Sequence, residues 1–242
     1  MTNGESQETG KTPDKPQGLG AYETLRREIL HGELMPGERL RVSELNNRYR
    51  IGLTPIREAL MRLTSEGLVQ NESHRGARVK ETTLDELRDI MSARRDIERL
   101  CLTRAMERGD AEWEANILRA FHLLSRAALP GSVDDMETAS RWEQLHRQFH
   151  YSLVEACRSD WLLRFWNTLA DHSERYRKLR LLYHESAAAA VRNANAEHEE
   201  IMNAVIGRKA AACDLMDVHL GRTEEAVARL MERDRASEGK PR

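Results

Sequence analysis

Cysteine is scarce: Cys101, Cys157 and Cys213 are the three in 242 residues, widely spaced and with no CxxC pair among them. That excludes an even disulfide framework and leaves the expectation of reduced, mostly buried thiols in a cytoplasmic protein. A long apolar run is missing too, so no membrane span is expected. Residues 1–18 are polar and rich in glycine, proline and charge. They lack the apolar core of a signal peptide and read as a disordered tail. Charge of one sign is also absent. The formal net charge is −2, which excludes a uniformly basic nucleic-acid coat.

The chain is long enough for two modest domains, each with its own core. Its charge is unevenly spread. Residues 1–80 carry 13 Lys and Arg against 11 Asp and Glu, whereas the remainder carries 25 against 29. Between positions 39 and 62 stand six arginines, opposed by Glu44 and Glu58 alone. An arginine cluster on a near-neutral chain suits a confined phosphate-binding patch. The plainer reading is a solvated charged face.

Tyr22, Leu25, Ile29 and Leu30 repeat at helical spacing, and Leu34-Met35-Pro36-Gly37 stops that helix. Val42, Leu45 and Tyr49 define one face of a second helix, with Ser43 near its start. Arg50-Ile51-Gly52 makes a turn in which Gly52 tolerates positive φ. Thr54 is the expected cap of the next helix and Pro55 its first residue. That helix buries Ile56, Leu60 and Leu63 and exposes Arg57, Met61 and Arg62. Gly67 ends it. Residues 68–71 and 77–80 read as short strands around a turn at Ser73-His74-Arg75-Gly76. Helix, turn, helix and β-wing together describe a DNA-reading winged helix-turn-helix.

The strings Pro36-Gly37-Glu38, Thr54-Pro55-Ile56-Arg57-Glu58-Ala59-Leu60, Glu66-Gly67-Leu68-Val69 and Arg75-Gly76 resemble the GntR family of bacterial transcription regulators over about residues 19–80. The resemblance implies that Arg57 is the recognition-helix arginine, that Thr54 contacts phosphate or base, and that Arg75 and Gly76 form the wing tip. Arg39, Arg41, Ser43 and Arg62 join the expected DNA-binding set, although Arg62 is equally readable as a plain surface residue. The family usually carries Ser-Arg where this chain has Gly52-Leu53. A contact arginine is therefore missing, and the preferred operator is expected to differ.

From Leu84 to about Glu232 no strand is expected. Six runs of helical period, with breaks at Pro130-Gly131, Arg158-Ser159-Asp160 and Gly207, predict a bundle. The fold class is thus mostly α: an N-terminal winged helix-turn-helix over 19–80, a linker at 81–83, an all-helical domain over 84–233 and a tail over 234–242. His146 and His150 lie at i and i+4, on one face of one helix. His198 and His219 occupy apolar-side positions on the last two helices. Imidazole is the commonest protein ligand of transition metals, and converging helices can supply a set of them. Taken singly, each histidine reads as an ordinary core or surface residue.

Arg94-x-x-Ile97-Glu98, Phe149-His150, Glu197-His198 and His219-Leu220 resemble the FCD effector domain that accompanies a large GntR subfamily. The resemblance implies a divalent metal held by His150, His198 and His219, with His146 standing where the family has Asp. That substitution leaves two forms open: an all-histidine site, or a three-histidine site supported by His146. Nitrogen ligands favour Zn or Ni. The resemblance makes Arg94 an anchor for an effector carboxylate, and Tyr151, Arg175 and Arg177 are read as residues that could line the effector-binding cavity; the plainer role of Arg94 is a pair with Glu98 at i+4. The Trp113 and Trp142 segments look most like the branch containing the carbon-starvation-induced repressor, which points to a short dicarboxylate such as glutarate. The expected function is a metabolite-responsive repressor. It acts as a homodimer on an inverted-repeat operator, with the helix after Leu84 transmitting effector binding to the linker. The competing reading is a metal-dependent hydrolase.

Overall fold

The computed structural model describes residues 20–72, 76–129, 135–183 and 187–238. The expected break at Pro130-Gly131 and the wing-tip residue Arg75 lie outside them. The described residues begin with α1 (Ala21–Leu30), β1 (Arg39–Leu40), α2 (Val42–Tyr49), α3 (Leu53–Ser65), β2 (Val69–Glu72) and β3 (Gly76–Val79). The strands form an antiparallel sheet in the order β1-β3-β2, with Asn71 opposite Ala77 and Leu40 on the other side of Ala77. Leu25, Ile29, Leu40, Leu45, Ile56, Leu63, Leu68 and Val79 close one hydrophobic core from both helices and sheet.

Two local expectations change. α3 begins at Leu53, with Gly52 as its N-cap at φ 110°, and Thr54 makes no cap. Glycine alone reaches that φ without strain, so the helix starts two residues early and the Gly52 N–H is met by Asn46 Oδ1 at 2.9 Å. Pro55 then falls inside the first turn, where its missing N–H has no intrahelical partner to lose. β1 is the other addition. Its two residues are too short to show a period in sequence, yet they pair with β3 and make the wing three-stranded.

Six α-helices follow among the described residues: α4 (Leu84–Arg108), α5 (Ala111–Ser125), α6 (Met136–Val154), α7 (Asp160–Tyr183), α8 (Ala187–Ile206) and α9 (Ala212–Glu238). Three of them start on a side-chain cap. Thr83 accepts from the Glu86 N–H, Asp110 from Trp113 and Asp135 from Thr138, which satisfies donors that a helix start leaves unpaired. A 3₁₀ turn at Glu155–Cys157 and Arg158 in the left-handed region turn the chain from α6 into α7. A second, separate apolar core fills this bundle, with Leu102, Ile117, Phe149, Leu153, Trp166 and Val205 at its centre. Cys101, Cys157 and Cys213 are all buried and unbridged. Among the described residues no helix is long and apolar enough to cross a membrane.

Candidate functional site

Helical period places Trp142, His146, Phe149, His150 and Leu153 on the buried side of α6. α8 brings His198 and α9 brings His219 to meet them. All four histidines are buried, His198 completely. One ring nitrogen from each lies within 4.8 Å of the others. The Nε2 atoms of His198 and His219 are 3.2 Å apart. His219 Nδ1 is 2.7 Å from Glu197 Oε2, and Arg222 donates to the other oxygen of that carboxylate at 2.6 Å. Burial pushes Glu197 up, but the hydrogen bonds from His219 and Arg222 outweigh it and hold the group below the usual carboxylate range. An ionised Glu197 accepts a hydrogen bond from the Nδ1–H of His219, which leaves the Nε2 lone pair facing the cluster. A carboxylate behind an imidazole in this way fixes the tautomer of a metal-ligating histidine.

His146 and His150 are the proton-poor members of the cluster. His146 and His150 are held well below the ordinary histidine value, first by burial and then by neighbouring histidines and Arg177. Both ring nitrogens of His150, and Nδ1 of His146, are buried without a hydrogen bond. Buried polar atoms are almost always satisfied, and exceptions mark strain, catalysis or an ion or water site. Neutral imidazoles with inward lone pairs are what a transition metal requires, so the donor set fits such an ion.

Beside the histidines lies a buried polar layer between α4, α6 and α7. Arg94 donates to Ser173 Oγ at 2.6 Å, and Arg177 donates to the same oxygen at 2.8 Å and to Glu143 at 3.1 Å. Arg94 also stands 3.8 Å from Glu98, so the i+4 pair read as its plainer role is present together with the contact to Ser173. Burial, with the like charge of Arg177 second, pulls Arg94 down to about 10, which still leaves it a cation at neutral pH. Burial pushes Glu98 up, and its carboxylate accepts from Trp166 Nε1 at 2.7 Å. The Nε atoms of both arginines, one oxygen each of Glu98 and Glu143, and the Trp142 indole N–H are buried without hydrogen bonds.

Arg175 does not join this layer. It donates to the Lys80 carbonyl at 2.5 Å, because residues 173 and 177 share a helix face that 175 does not. Arg177, read beside Arg175 as a residue that could line the cavity, is the one that joins the layer, together with Ser173. Ser173 and Glu143 are the side chains that sequence reading passes over, whereas Glu197 is read only as the neighbour of His198. The i+4 spacing from Ser173 to Arg177 is the signal that could have found Ser173, once α7 is placed against α4.

At the other end of the molecule α3, the start of α2 and the wing enclose an open concavity lined by Arg41, Ser43, Arg57, Met61, Asn71 and Gly76. Arg57, Thr54 and Arg39 are exposed. Gly76 opens β3 at φ 89°, in the region that favours glycine. Arg62 is turned elsewhere. Its guanidinium lies 3.6 Å from the Tyr22 ring centroid and its Nε is 3.3 Å from Glu66, which ties it to α1 rather than to the concavity.

Comparison with known proteins agrees with both halves. Residues 18–79 match the family described as bacterial regulatory proteins, gntR family, and residues 89–222 match the FCD domain. The chain is 35% identical to the HTH-type transcriptional repressor GlaR of Escherichia coli over 84% of this chain and 91% of that protein. It is 34% identical to the HTH-type transcriptional regulator BphR of Paraburkholderia xenovorans, over 82% and 80% of the two chains. The fold is shared with the solved structure of E. coli McbR/YncC at a TM-score of 0.72 and 20% identity, covering 87% of this chain and 96% of that one. The chain therefore belongs to the GntR family, in the group that joins the helix-turn-helix module to an FCD domain, and is a DNA-binding transcriptional regulator rather than an enzyme.

Proposed function

We propose that this regulator is a repressor that senses a small carboxylate through a metal held by His146, His150, His198 and His219. Residues 19–80 form the DNA module, 81–83 the linker and 84–233 the effector module of a cytoplasmic homodimer that binds an inverted repeat. Arg57, Arg41, Ser43, Thr54, Gly76 and Arg39 face the operator, with Arg75 at the wing tip.

The observation that carries the reading is the coincidence of inward imidazole nitrogens and unsatisfied buried polar atoms in one place. Four neutral imidazoles leave the charge of a divalent ion uncompensated, and nitrogen donors favour Zn or Ni. Once bound, the ion would supply a Lewis-acidic centre for an anion. In the neighbouring layer Glu98 and Glu143 stand against Arg94 and Arg177, so the excess positive charge belongs to the metal. A carboxylate on such a metal would also feel the charge of Arg94, which already acts on His150. A short dicarboxylate such as glutarate, suggested by the resemblance to the carbon-starvation-induced repressor branch, has a second charged end for Arg177.

α7 offers the route from effector to DNA. Its Ser173 and Arg177 belong to the effector layer. Its His172 Nε2 lies 2.9 Å from the Glu66 carbonyl at the end of α3, and its Tyr176 hydroxyl donates to Glu86 at 2.8 Å. Asp171 accepts from Arg147 of α6 and from Arg26 of α1. A shift of α7 towards bound carboxylate would move both DNA-module contacts. The helix expected to transmit the signal, α4, takes part through Glu86, which also meets Lys80 Nζ at 2.6 Å.

The test is metal analysis of the purified protein after dialysis. Wild type should retain about one Zn or Ni per chain and His150→Ala should retain little. A His150→Ala protein with full metal content would overturn the site.

A further inference from the structure

Two large apolar side chains on α3 stand outside the buried core. Leu53 is 46% exposed and Met61 is 71% exposed, and neither belongs to the hydrophobic core of the module. A single exposed leucine needs no explanation. These two lie four residues on either side of Arg57, so all three share one stripe of the helix. Arg57 is itself exposed and makes no hydrogen bond or ion pair among the described residues. The stripe is therefore apolar, cationic, apolar, with every member presented to the outside.

On the major-groove edges of DNA the thymine C5 methyl is the apolar group, and the guanine O6/N7 pair is the usual partner of arginine. Recognition helices meet base edges with their N-terminal residues. Leu53 is the first residue of α3, whereas Met61 stands two turns further along and lines the concavity against the wing. We infer that Leu53 is a specificity-determining residue that reads a thymine methyl beside the guanine taken by Arg57. This rests on the assignment of α3 as the DNA-reading helix. No hydrogen bond is needed for such discrimination. Cytosine places a hydrogen in the position of the methyl, and a leucine against it loses the contact.

The probe is a library of random-sequence duplexes selected with the full-length protein, followed by binding to the selected duplex with each thymine replaced in turn by deoxyuridine. That replacement removes the methyl and nothing else. One thymine per half-site should lose about fourfold in wild-type affinity, the worth of one buried methyl group. Leu53→Ala, a change at an exposed position that leaves the core untouched, should bind thymine and deoxyuridine equally and still select the guanine. Equal wild-type affinity for thymine and deoxyuridine at every position, with Arg57→Ala still losing the duplex, would overturn the role of Leu53 and leave α3 as the reading helix. If Arg57→Ala binds as tightly as wild type, the assignment of α3 falls, and the role of Leu53 falls with it. A deoxyuridine penalty that persists in Leu53→Ala and disappears in Met61→Ala would overturn the assignment by moving it to Met61.

Discussion

Glu174 shows what the buried layer costs. Burial, with the like charge of Glu143 second, pushes its carboxyl up to about 7, although Arg147 stands 3.5 Å away. The native state therefore keeps a proton that the unfolded chain releases near the ordinary carboxylate value. Between those two pH values the stability contributed by this group falls as pH rises, by about 1.4 kcal/mol per unit, and the loss is complete above pH 7. Glu174→Gln removes the titration. Relative to wild type the variant should gain stability on going from pH 5 to pH 8, on the order of 2 kcal/mol, as read by urea unfolding at both values. An unchanged difference would contradict the raised carboxyl. At this scale the four histidines and Arg94 were legible, because i+4 spacing and apolar-side phase already set them on inward faces. The contacts of Glu197 and Ser173 were not, and Arg177 stood only among the residues that could line the cavity. Whether a polar residue next to a ligand points at the cluster or away depends on how its helix is rotated against its neighbours, and sequence period does not give that.

At the scale of the element, the helices of the bundle were readable because each carries a long periodic stripe and three begin on Thr or Asp caps. The short elements were not, since two-residue β1 has no pattern and the start of α3 is set by the backbone freedom of Gly52. The joint between α4 and α5 is also set by a glycine. A Cβ on Gly109 would strike the Trp113 ring, and that ring is pinned by its indole bond to the Ser152 carbonyl at 2.7 Å. Gly109→Ala should cost roughly 1–3 kcal/mol by overpacking, seen as a lower urea midpoint; an unmoved midpoint would show that the ring can yield. α7 carries the other prediction. Arg26→Ala removes the α1 side of the Asp171 bridge while Arg147 still covers the carboxylate. Metal content should stay at the wild-type level, and the factor by which an effector acid changes operator affinity should shrink. Fluorescence anisotropy with labelled operator would measure it, and an unaltered factor would exclude Asp171 from the coupling.

For the whole molecule, a buried cluster of four histidines whose donors fit a metal and a winged helix-turn-helix share one chain, and α7 reaches both the polar layer beside the cluster and the helix-turn-helix module. If an acid weakens operator binding through this path, operator must weaken acid binding by the same factor, commonly 5- to 150-fold in coupled sites. Ligation to the native state alone must also raise its melting temperature. A thermal-shift screen of the purified protein against short mono- and dicarboxylates, before and after removal of metal by chelation, addresses the central claim most directly. At a hundredfold excess over Kd the expected stabilisation is about 2.7 kcal/mol, which is roughly 5 to 10 °C for a chain of this size. The account predicts such a rise with one class of acid and its disappearance on chelation. A shift of equal size after chelation, or none with any acid, would contradict a metal-bound carboxylate as the signal.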